Sequence, residues 1–308
     1  MPELAGSVAR PPPVLPTARP RRAAEYGGNL GLIPLGGIEL TPAITGVTHQ
    51  TAAAFVDSID LPDWTGQELG AAEGDNLTVH GFALGNPAEK PAIWFVSGVH
   101  GDEWQAGWGA KRLAEYLDDP EAAPVNRWFF RYLRQRYAWY WVPVVNPSGW
   151  NAQTRNNVNN VDIGRNFISK SEAETVLVAA EFDRVAPVIA IDFHTFPGPT
   201  HKIGLGRDSD GLHHEEPLID NVVTSLATYT GNAVERYATP TLPEGELSMS
   251  GYATSHTSQR GTRTLACYTE GDRQQGGDSM ATFCLRAALI WLVYSVQWDT
   301  IHHGWDGG

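Results

Sequence analysis

The sequence predicts an α/β fold in which a mixed, mostly parallel central β-sheet is covered by helices on both faces. The first observation behind this prediction is a series of continuous apolar runs, which are typical of strands buried on both faces. The second is that segments of helical length separate these runs, as in sheets whose crossover connections are helices. With 308 residues, the chain is long enough to bury a large core.

The elements are predicted in a fixed order along the chain. Residues 76–84 alternate apolar and polar side chains, which indicates a half-buried strand. The more continuously apolar runs predict strands over 91–97, 137–145, 187–193 and 263–269, and the segments around them predict helices over 104–118, 171–185, 215–237 and 278–298. Ser171 and Glu174 have the spacing of a capping box at the start of the second helix. Residues 148–167 and 239–262 are predicted to be loops because they are rich in Asn, Gly or Pro.

The chain divides into an N-terminal arm and one domain. Residues 1–35 are rich in Pro and Arg and contain no apolar run of the length that a signal peptide needs, so they are predicted to be flexible. Residues 36–308 are predicted to form a single domain. No continuous apolar segment reaches the roughly 20 residues of a membrane span, so we expect no membrane partner and a cytoplasmic location.

Composition excludes two further classes of protein. The formal net charge is −13, which argues against nucleic acid as a partner because Lys and Arg are not in excess. The two cysteines, Cys267 and Cys284, lie in apolar surroundings and are predicted to be buried thiols. A metal site built from several cysteines is therefore excluded.

Polar side chains follow four of the predicted strands. His100, Asn146, His194 and Glu270 each come just after a buried strand. In open α/β sheets, ligands bind beyond the carboxyl ends of the strands. We therefore expect these residues to converge on one functional site.

Two of the converging positions have the spacing of metal ligands. His100 and Glu103 form an H-x-x-E pattern at a predicted strand-to-helix turn, where Gly98 and Gly101 leave room for a sharp change of direction. An imidazole and a carboxylate suit zinc, and a catalytic zinc site takes three protein ligands. His194 is the best candidate for the third. The same spacing recurs at His213, but that residue lies in a charged stretch without a buried strand before it and is predicted to be a surface residue.

Several sequence runs in one order resemble the zinc carboxypeptidase family, and within it the small bacterial members that are similar to peptide amidases. The runs are SGVHGDEW, NPSG, RNNVNNVDIGRNF, IDFHTF and YTEGD, within roughly residues 75–300. The resemblance implies a metallocarboxypeptidase-like fold and one Zn²⁺ per chain, held by His100, Glu103 and His194. It also implies that Glu270 is the general base and that Arg155 stabilises the developing oxyanion.

The resemblance also implies residues that bind the substrate or support the metal site. Arg165 matches the arginine that holds the terminal carboxylate of the substrate, and Asp162 matches an acid that orients a metal-bound histidine. Asn146 and Tyr252 are expected to contact the substrate. The sequence departs from the family pattern at Gly164, where an Asn normally shares the carboxylate, so the recognition of that carboxylate is expected to differ.

The expected function is hydrolysis of an amide bond next to a carboxylate, in a small peptide or an amide conjugate. One alternative is a deacylase of N-acyl amino acids, like aspartoacylase or succinylglutamate desuccinylase. Another is a relative that binds a ligand without catalysis. The retention of every expected ligand and catalytic residue argues against the last alternative.

Overall fold

A computed structural model describes residues 38–74, 76–205, 216–237 and 248–303, and the structural statements below concern these residues. The predicted arm at residues 1–35 and the predicted surface residue His213 lie outside them.

An eight-stranded mixed sheet forms the centre of the described structure. Its strands are β1 (Thr65–Ala71), β2 (Thr78–Leu84), β3 (Ala92–Ser97), β4 (Ala138–Val142), β5 (Ile189–Phe196), β6 (His201–Leu205), β7 (Val234–Arg236) and β8 (Leu265–Asp272). The order across the sheet is β1-β2-β4-β3-β5-β8-β6-β7. The central strands β4, β3, β5 and β8 are parallel, whereas β2 and β6 run antiparallel to their inner neighbours.

Helices cover both faces of this sheet. Those of the described residues are α1 (Ala52–Asp57), α2 (Trp104–Asp118), α3 (Arg127–Arg136), α4 (Pro147–Ala152), α5 (Ala173–Val185), α6 (Glu216–Thr230), α7 (Met249–Ser255) and α8 (Gly277–His303). One core packs α2, α3, α6 and α8 against the sheet, and the other packs α5 and α7 against the opposite face. The predicted fold class is therefore confirmed.

The central position of strand β3, between two apolar layers, explains why its sequence is an apolar run. All six of its residues are buried, and successive side chains enter opposite cores. Trp94 stacks on Tyr140 at 4.6 Å between ring centroids on one face, and Phe95 stacks on Trp141 at 5.5 Å on the other. A strand between two apolar layers has no solvent-facing position for a polar residue.

Two strands extend further than predicted. β5 continues to Phe196 and β8 continues to Asp272, three residues beyond the predicted end of each strand. His194 and Glu270 therefore lie inside these strands, where the ladder pairs them directly. The prediction was too short because their polar side chains interrupt the apolar pattern while the backbone pairing continues.

The region predicted as a helix over 215–237 contains two elements. Helix α6 ends at Thr230, and Gly231 follows with a φ of +68°, a left-handed conformation that commonly ends a helix. The short edge strand β7 comes next. Within the predicted loop at 239–262, residues 248–262 contain helix α7, and residues 239–247 lie outside the described structure.

The predicted capping box at the start of α5 is not formed. The helix begins at Ala173, and Glu172 is the N-cap residue without a side-chain capping bond. Asn166 donates a hydrogen bond from Nδ2 to Ser171 Oγ at 2.9 Å, so Ser171 is engaged in the preceding loop. The side chain of Glu174 is fully buried.

The long helix α8 corrects one expectation about apolar segments. Residues Gly277–Asp299 are long and apolar enough to cross a membrane, with a mean hydropathy of 1.5 over the most apolar window. However, most of this segment is buried inside the protein. The expected absence of a membrane partner stays a prediction. Cys284 on this helix and Cys267 on β8 are buried free thiols, as predicted.

Candidate metal centre

Three predicted metal ligands converge at the carboxyl ends of the central strands. His100 Nδ1 lies 2.9 Å from Glu103 Oε1, and His194 Nδ1 lies 2.7 Å from Glu103 Oε2. The potential ligand atoms of the three residues lie within 4.8 Å of one another, and all three side chains are buried. Both imidazole rings thus present the same nitrogen to one carboxylate.

Close packing of backbone at the strand-to-helix turn brings His100 into this position. Gly98 has a φ of +65° directly after β3, a left-handed conformation that glycine adopts at little steric cost. A Cβ at Gly101 would lie 1.9 Å from the carbonyl carbon of Gly149, so only glycine allows α4 to approach this closely. Gly98 therefore forms the turn that the sequence suggested, whereas Gly101 is required for the close packing of α4.

Each candidate histidine has an acid at its outer nitrogen. His100 Nε2 lies 3.2 Å from Asp162 Oδ1, as the sequence predicts, and His194 Nε2 lies 2.9 Å from Asp192 Oδ2. Such partners fix the orientation of a metal-binding ring and increase its basicity. Asp192 was missed, although its spacing from His194 was a usable signal, because residues two apart on a strand share a face.

The donor set fits zinc. Two imidazole nitrogens and one carboxylate form a common ligand set of catalytic zinc sites, which keep a fourth position open. Burial raises the pKa of Glu103, but the positive charges of His100 and His194 together lower it by more. The net pKa of Glu103 therefore lies well below its ordinary value. The carboxylate is therefore ionised, as a metal ligand must be.

The candidate general base lies beside this cluster on the neighbouring strand. Glu270 pairs with His194 in the parallel ladder between β5 and β8, so their side chains leave the sheet on the same face. Glu270 Oε2 is buried and accepts no hydrogen bond. Burial, followed by the charge of Glu103, raises the pKa of Glu270 to about 8. The site thus contains an unpaired carboxyl oxygen next to the predicted ligands.

Two arginines lie at the open side of the cluster, where the sequence predicted them. Arg155 Nη1 lies 3.3 Å from His100 Nδ1, and Arg155 Nε donates to Asp162 Oδ2 at 3.0 Å. Arg165 Nε lies 3.5 Å from the same oxygen of Asp162. The side chains of Arg155 and Arg165 are 46% and 47% exposed, so their guanidinium groups can reach a bound molecule.

A third arginine contacts the cluster and was missed. Arg273 Nη2 lies 3.0 Å from Glu103 Oε1, and Nη1 lies 2.7 Å from Asp102 Oδ2. Its Nε also donates to Thr195 Oγ1 at 3.0 Å. The residue follows β8 three positions after Glu270, but nothing in the local pattern separates it from an ordinary surface arginine.

Asn146 does not contact the open site, contrary to expectation. Its side chain is fully buried, and its Oδ1 accepts the main-chain N–H of Gly149 at 2.8 Å, which caps helix α4. Its Nδ2 donates to the main-chain carbonyl of Arg155 at 3.3 Å. Asn146 therefore positions the backbone of Arg155, because both ends of its amide are already engaged by the protein.

Tyr252, the other residue expected to contact substrate, is engaged elsewhere. Its hydroxyl donates to Asp183 Oδ1 at 2.7 Å and accepts from Lys170 Nζ at 2.8 Å. Its ring packs against Phe182 of α5, in the core on one face of the sheet. The structure therefore does not bring Tyr252 into the candidate site, because its hydroxyl is already engaged within the helix layer.

A different tyrosine, Tyr237, lies in the electrostatic field of the site. Burial, and then the charge of Glu270, raise the pKa of Tyr237, while Arg155 and Arg165 act in the opposite direction. Its ring makes an edge contact with Tyr268 at 5.5 Å between centroids. The sequence prediction missed it because residues 215–237 were assigned to one helix.

The glycine at position 164 is a packing requirement of the metal cluster. A Cβ at Gly164 would lie 2.4 Å from His100 Nε2 and 3.1 Å from Asp162 Oδ1. The imidazole of His100 therefore occupies the space that any larger side chain would need. The missing Asn is thus explained by the position of a candidate ligand.

We expect Gly164→Ala to weaken zinc binding by about 10- to 100-fold, because the added methyl group separates His100 from its orienting acid. A competition titration with a zinc-selective dye measures this affinity. The matched control is Gly277→Ala, where an added Cβ meets only side chains at 3.3 Å or more. Equal zinc affinity in the two variants would contradict the packing explanation.

Comparison with known proteins agrees with this geometry. Residues 69–186 match the zinc carboxypeptidase family. The segment contains His100, Glu103 and both arginines, whereas His194 and Glu270 lie beyond its end and are assigned to the site by their positions alone. No curated protein gives a significant match to the sequence.

Solved structures extend the likeness across the described chain. A metallo-carboxypeptidase from Burkholderia cenocepacia is 19% identical, with a TM-score of 0.61 over 81% of this chain and 68% of that one. A metallo-carboxypeptidase from Pseudomonas aeruginosa is 15% identical, with a TM-score of 0.59 over 79% and 68%. Carboxypeptidase A from Helicoverpa armigera is 16% identical, with a TM-score of 0.57 over 77% and 70%. One segment of the chain thus matches the zinc carboxypeptidase family, and the described structure has the fold of the metallo-carboxypeptidases.

Proposed function

We propose that the protein is a zinc-dependent hydrolase that cleaves an amide bond next to a carboxylate. The observation that carries this proposal is the convergence of His100, Glu103 and His194 beside an unpaired oxygen of Glu270. The match to the zinc carboxypeptidase family and the fold of its metallo-carboxypeptidase relatives support it.

A zinc ion held by the three ligands would act as a Lewis acid on the scissile carbonyl and favour ionisation of a nearby water. Glu270 accepts a proton from that water, whose oxygen bonds to the carbonyl carbon. Arg155 donates hydrogen bonds to the carbonyl oxygen as negative charge develops there. Glu270 then transfers its proton to the nitrogen as the C–N bond breaks. A raised pKa makes the ionised form of Glu270 a stronger base than an ordinary carboxylate, which suits the first step, in which it accepts the proton of the water.

We propose a small peptide or an amide conjugate with a free carboxylate as the substrate. The exposed guanidinium of Arg165 offers a planar group for two parallel hydrogen bonds to that carboxylate. The relative from Pseudomonas aeruginosa was solved in complex with (2-guanidinoethylmercapto)succinic acid, a molecule with two carboxylates. Since Gly164 has no side chain to share the task, Arg165 is proposed to supply most of this recognition.

We expect a peptide with a free C-terminal carboxylate to be cleaved with a kcat/KM about 10- to 100-fold above that of its C-terminal amide, because charged hydrogen bonds each contribute about 1.5–3 kcal/mol. The Arg165→Met variant should lose this preference while keeping its zinc. Arg131→Met is the matched control, because Arg131 is an exposed arginine of α3 that pairs with Glu121.

Equal rates on the two peptides with wild-type protein would contradict carboxylate recognition. The same assay includes N-acetyl amino acids as substrates for the deacylase alternative. Hydrolysis of these compounds without cleavage of either peptide would favour the deacylase function over the proposed one.

A further inference from the structure

A second cluster of carboxylates lies in the described structure outside the zinc centre. Glu73 follows strand β1, and Glu172 and Glu174 stand at the start of helix α5. Their carboxylate oxygens lie within 4.8 Å of one another. None of the three takes part in the proposed hydrolysis.

Glu174 is the unusual member of this cluster. Its side chain is 0% exposed, and neither of its carboxylate oxygens accepts a hydrogen bond of good geometry. The main-chain amides of Glu73 and Glu174 lower its pKa, but less than burial raises it. Buried charges are normally paired with an opposite charge or bound to a metal. The side chain is therefore a buried acid, directed at two other acids, without a partner.

The surroundings supply little positive charge. None of the ion pairs formed among the described residues involves Glu73, Glu172 or Glu174. Burial raises the pKa of Glu174, and the charges of Glu73 and Glu172 raise it further. A cation placed among the three acids would remove this repulsion.

Glu172 connects the cluster to the loop that carries the arginines of the active site. Its Oε2 accepts hydrogen bonds from Asn157 Nδ2 at 2.7 Å and from Asn159 Nδ2 at 2.9 Å. Asn157 Oδ1 in turn accepts the main-chain N–H groups of Asn159 and Val161. The turn at 157–161 lies between Arg155 and Asp162, so the cluster stabilises the segment on which both of them stand.

We propose that Glu73, Glu172 and Glu174 bind one Ca²⁺ ion, which joins the end of β1 to helix α5 and to the arginine-bearing loop. The three residues offer only carboxylate oxygens, the donors that this hard cation prefers. Carboxylates that bind Ca²⁺ through one or both oxygens can supply three to six of the six to eight ligands that it takes. Glu73 is only partly buried and provides the side from which the ion and its remaining water ligands enter.

The experiment uses full-length protein loaded with zinc and freed of calcium. We expect saturating CaCl₂ to raise the melting temperature by about 5 °C relative to KCl of equal ionic strength. Isothermal titration calorimetry should show one Ca²⁺ per chain. Glu174→Gln keeps the size of the side chain and should abolish the shift. Glu68→Gln removes an exposed acid from β1 outside the cluster and should leave the shift unchanged.

An equal calcium shift in E174Q and E68Q would overturn the proposal. The proposal would also be overturned if the melting temperature of the wild-type protein did not change with calcium but rose as the pH fell. A shared proton, and not a metal ion, would then stabilise the three acids. If E174Q does not fold, the number of Ca²⁺ ions bound per chain of the wild-type protein tests the proposal. A value of zero overturns it.

The inference does not rest on the proposed hydrolase function. The calcium shift should persist in the His100→Ala variant, which lacks a zinc ligand. Loss of the shift in that variant would place the ion at the zinc centre and overturn the proposal.

Discussion

Replacing His100 with alanine is expected to remove the bound zinc and to lower kcat/KM by about a thousandfold or more. A catalytic zinc contributes several kcal/mol of transition-state stabilisation, and each 1.36 kcal/mol changes a rate tenfold. His100 is one of three buried candidate ligands, and the remaining pair, Glu103 and His194, cannot complete a three-ligand site.

Zinc content measured by atomic emission on dialysed protein provides the direct readout. The wild-type protein should contain one zinc per chain, and the variant should contain close to none. His80→Ala, at a partly buried position of β2, is the control for a general effect of losing a histidine. A variant that keeps one zinc per chain would remove His100 from the ligand set.

Glu270→Gln is expected to lower kcat by about 100- to 10,000-fold while the zinc stays bound, because a positioned general base contributes that much to a rate. Glutamine has the size of glutamate but cannot accept the proton of the attacking water. Glu270 Oε2 accepts no hydrogen bond that the amide would lose, so the melting temperature should stay close to that of the wild type.

The two readouts separate the role of the base from that of the metal. Zinc content and melting temperature should match those of the wild type, and only turnover should fall. Glu235→Gln, at an exposed acid of β7, is the matched control and should keep full activity. Unchanged turnover in Glu270→Gln would show that another group accepts the proton.

Local sequence patterns were sufficient for the parts of the site that lie at strand ends. A buried strand followed by glycines predicted the position of His100, and the same reasoning brought His194 and Glu270 towards it. The predicted ends of these two strands were wrong because the apolar pattern stops at the polar residues His194 and Glu270. Backbone pairing continues to Phe196 and Asp272, independently of side-chain polarity.

Tertiary contacts decided the parts that were missed. Arg273 reaches Glu103 from another part of the chain, and its sequence neighbourhood contains no signal of that contact. Tyr237 lies after an edge strand of three residues, which is too short to show a period. Asn146 was placed at the correct strand end, but whether its amide faces a substrate or caps a helix depends on how α4 packs.

The direct pairing of His194 with Glu270 has a consequence for how this protein can change. The candidate ligand and the proposed base lie on adjacent hydrogen-bonded strands, whose spacing of about 4.8 Å is a constant of β-sheets. Backbone hydrogen bonds between β5 and β8, and not the loops around the site, therefore set the distance between these two side chains. A substitution confined to a described loop should leave His194 and Glu270 in register with each other.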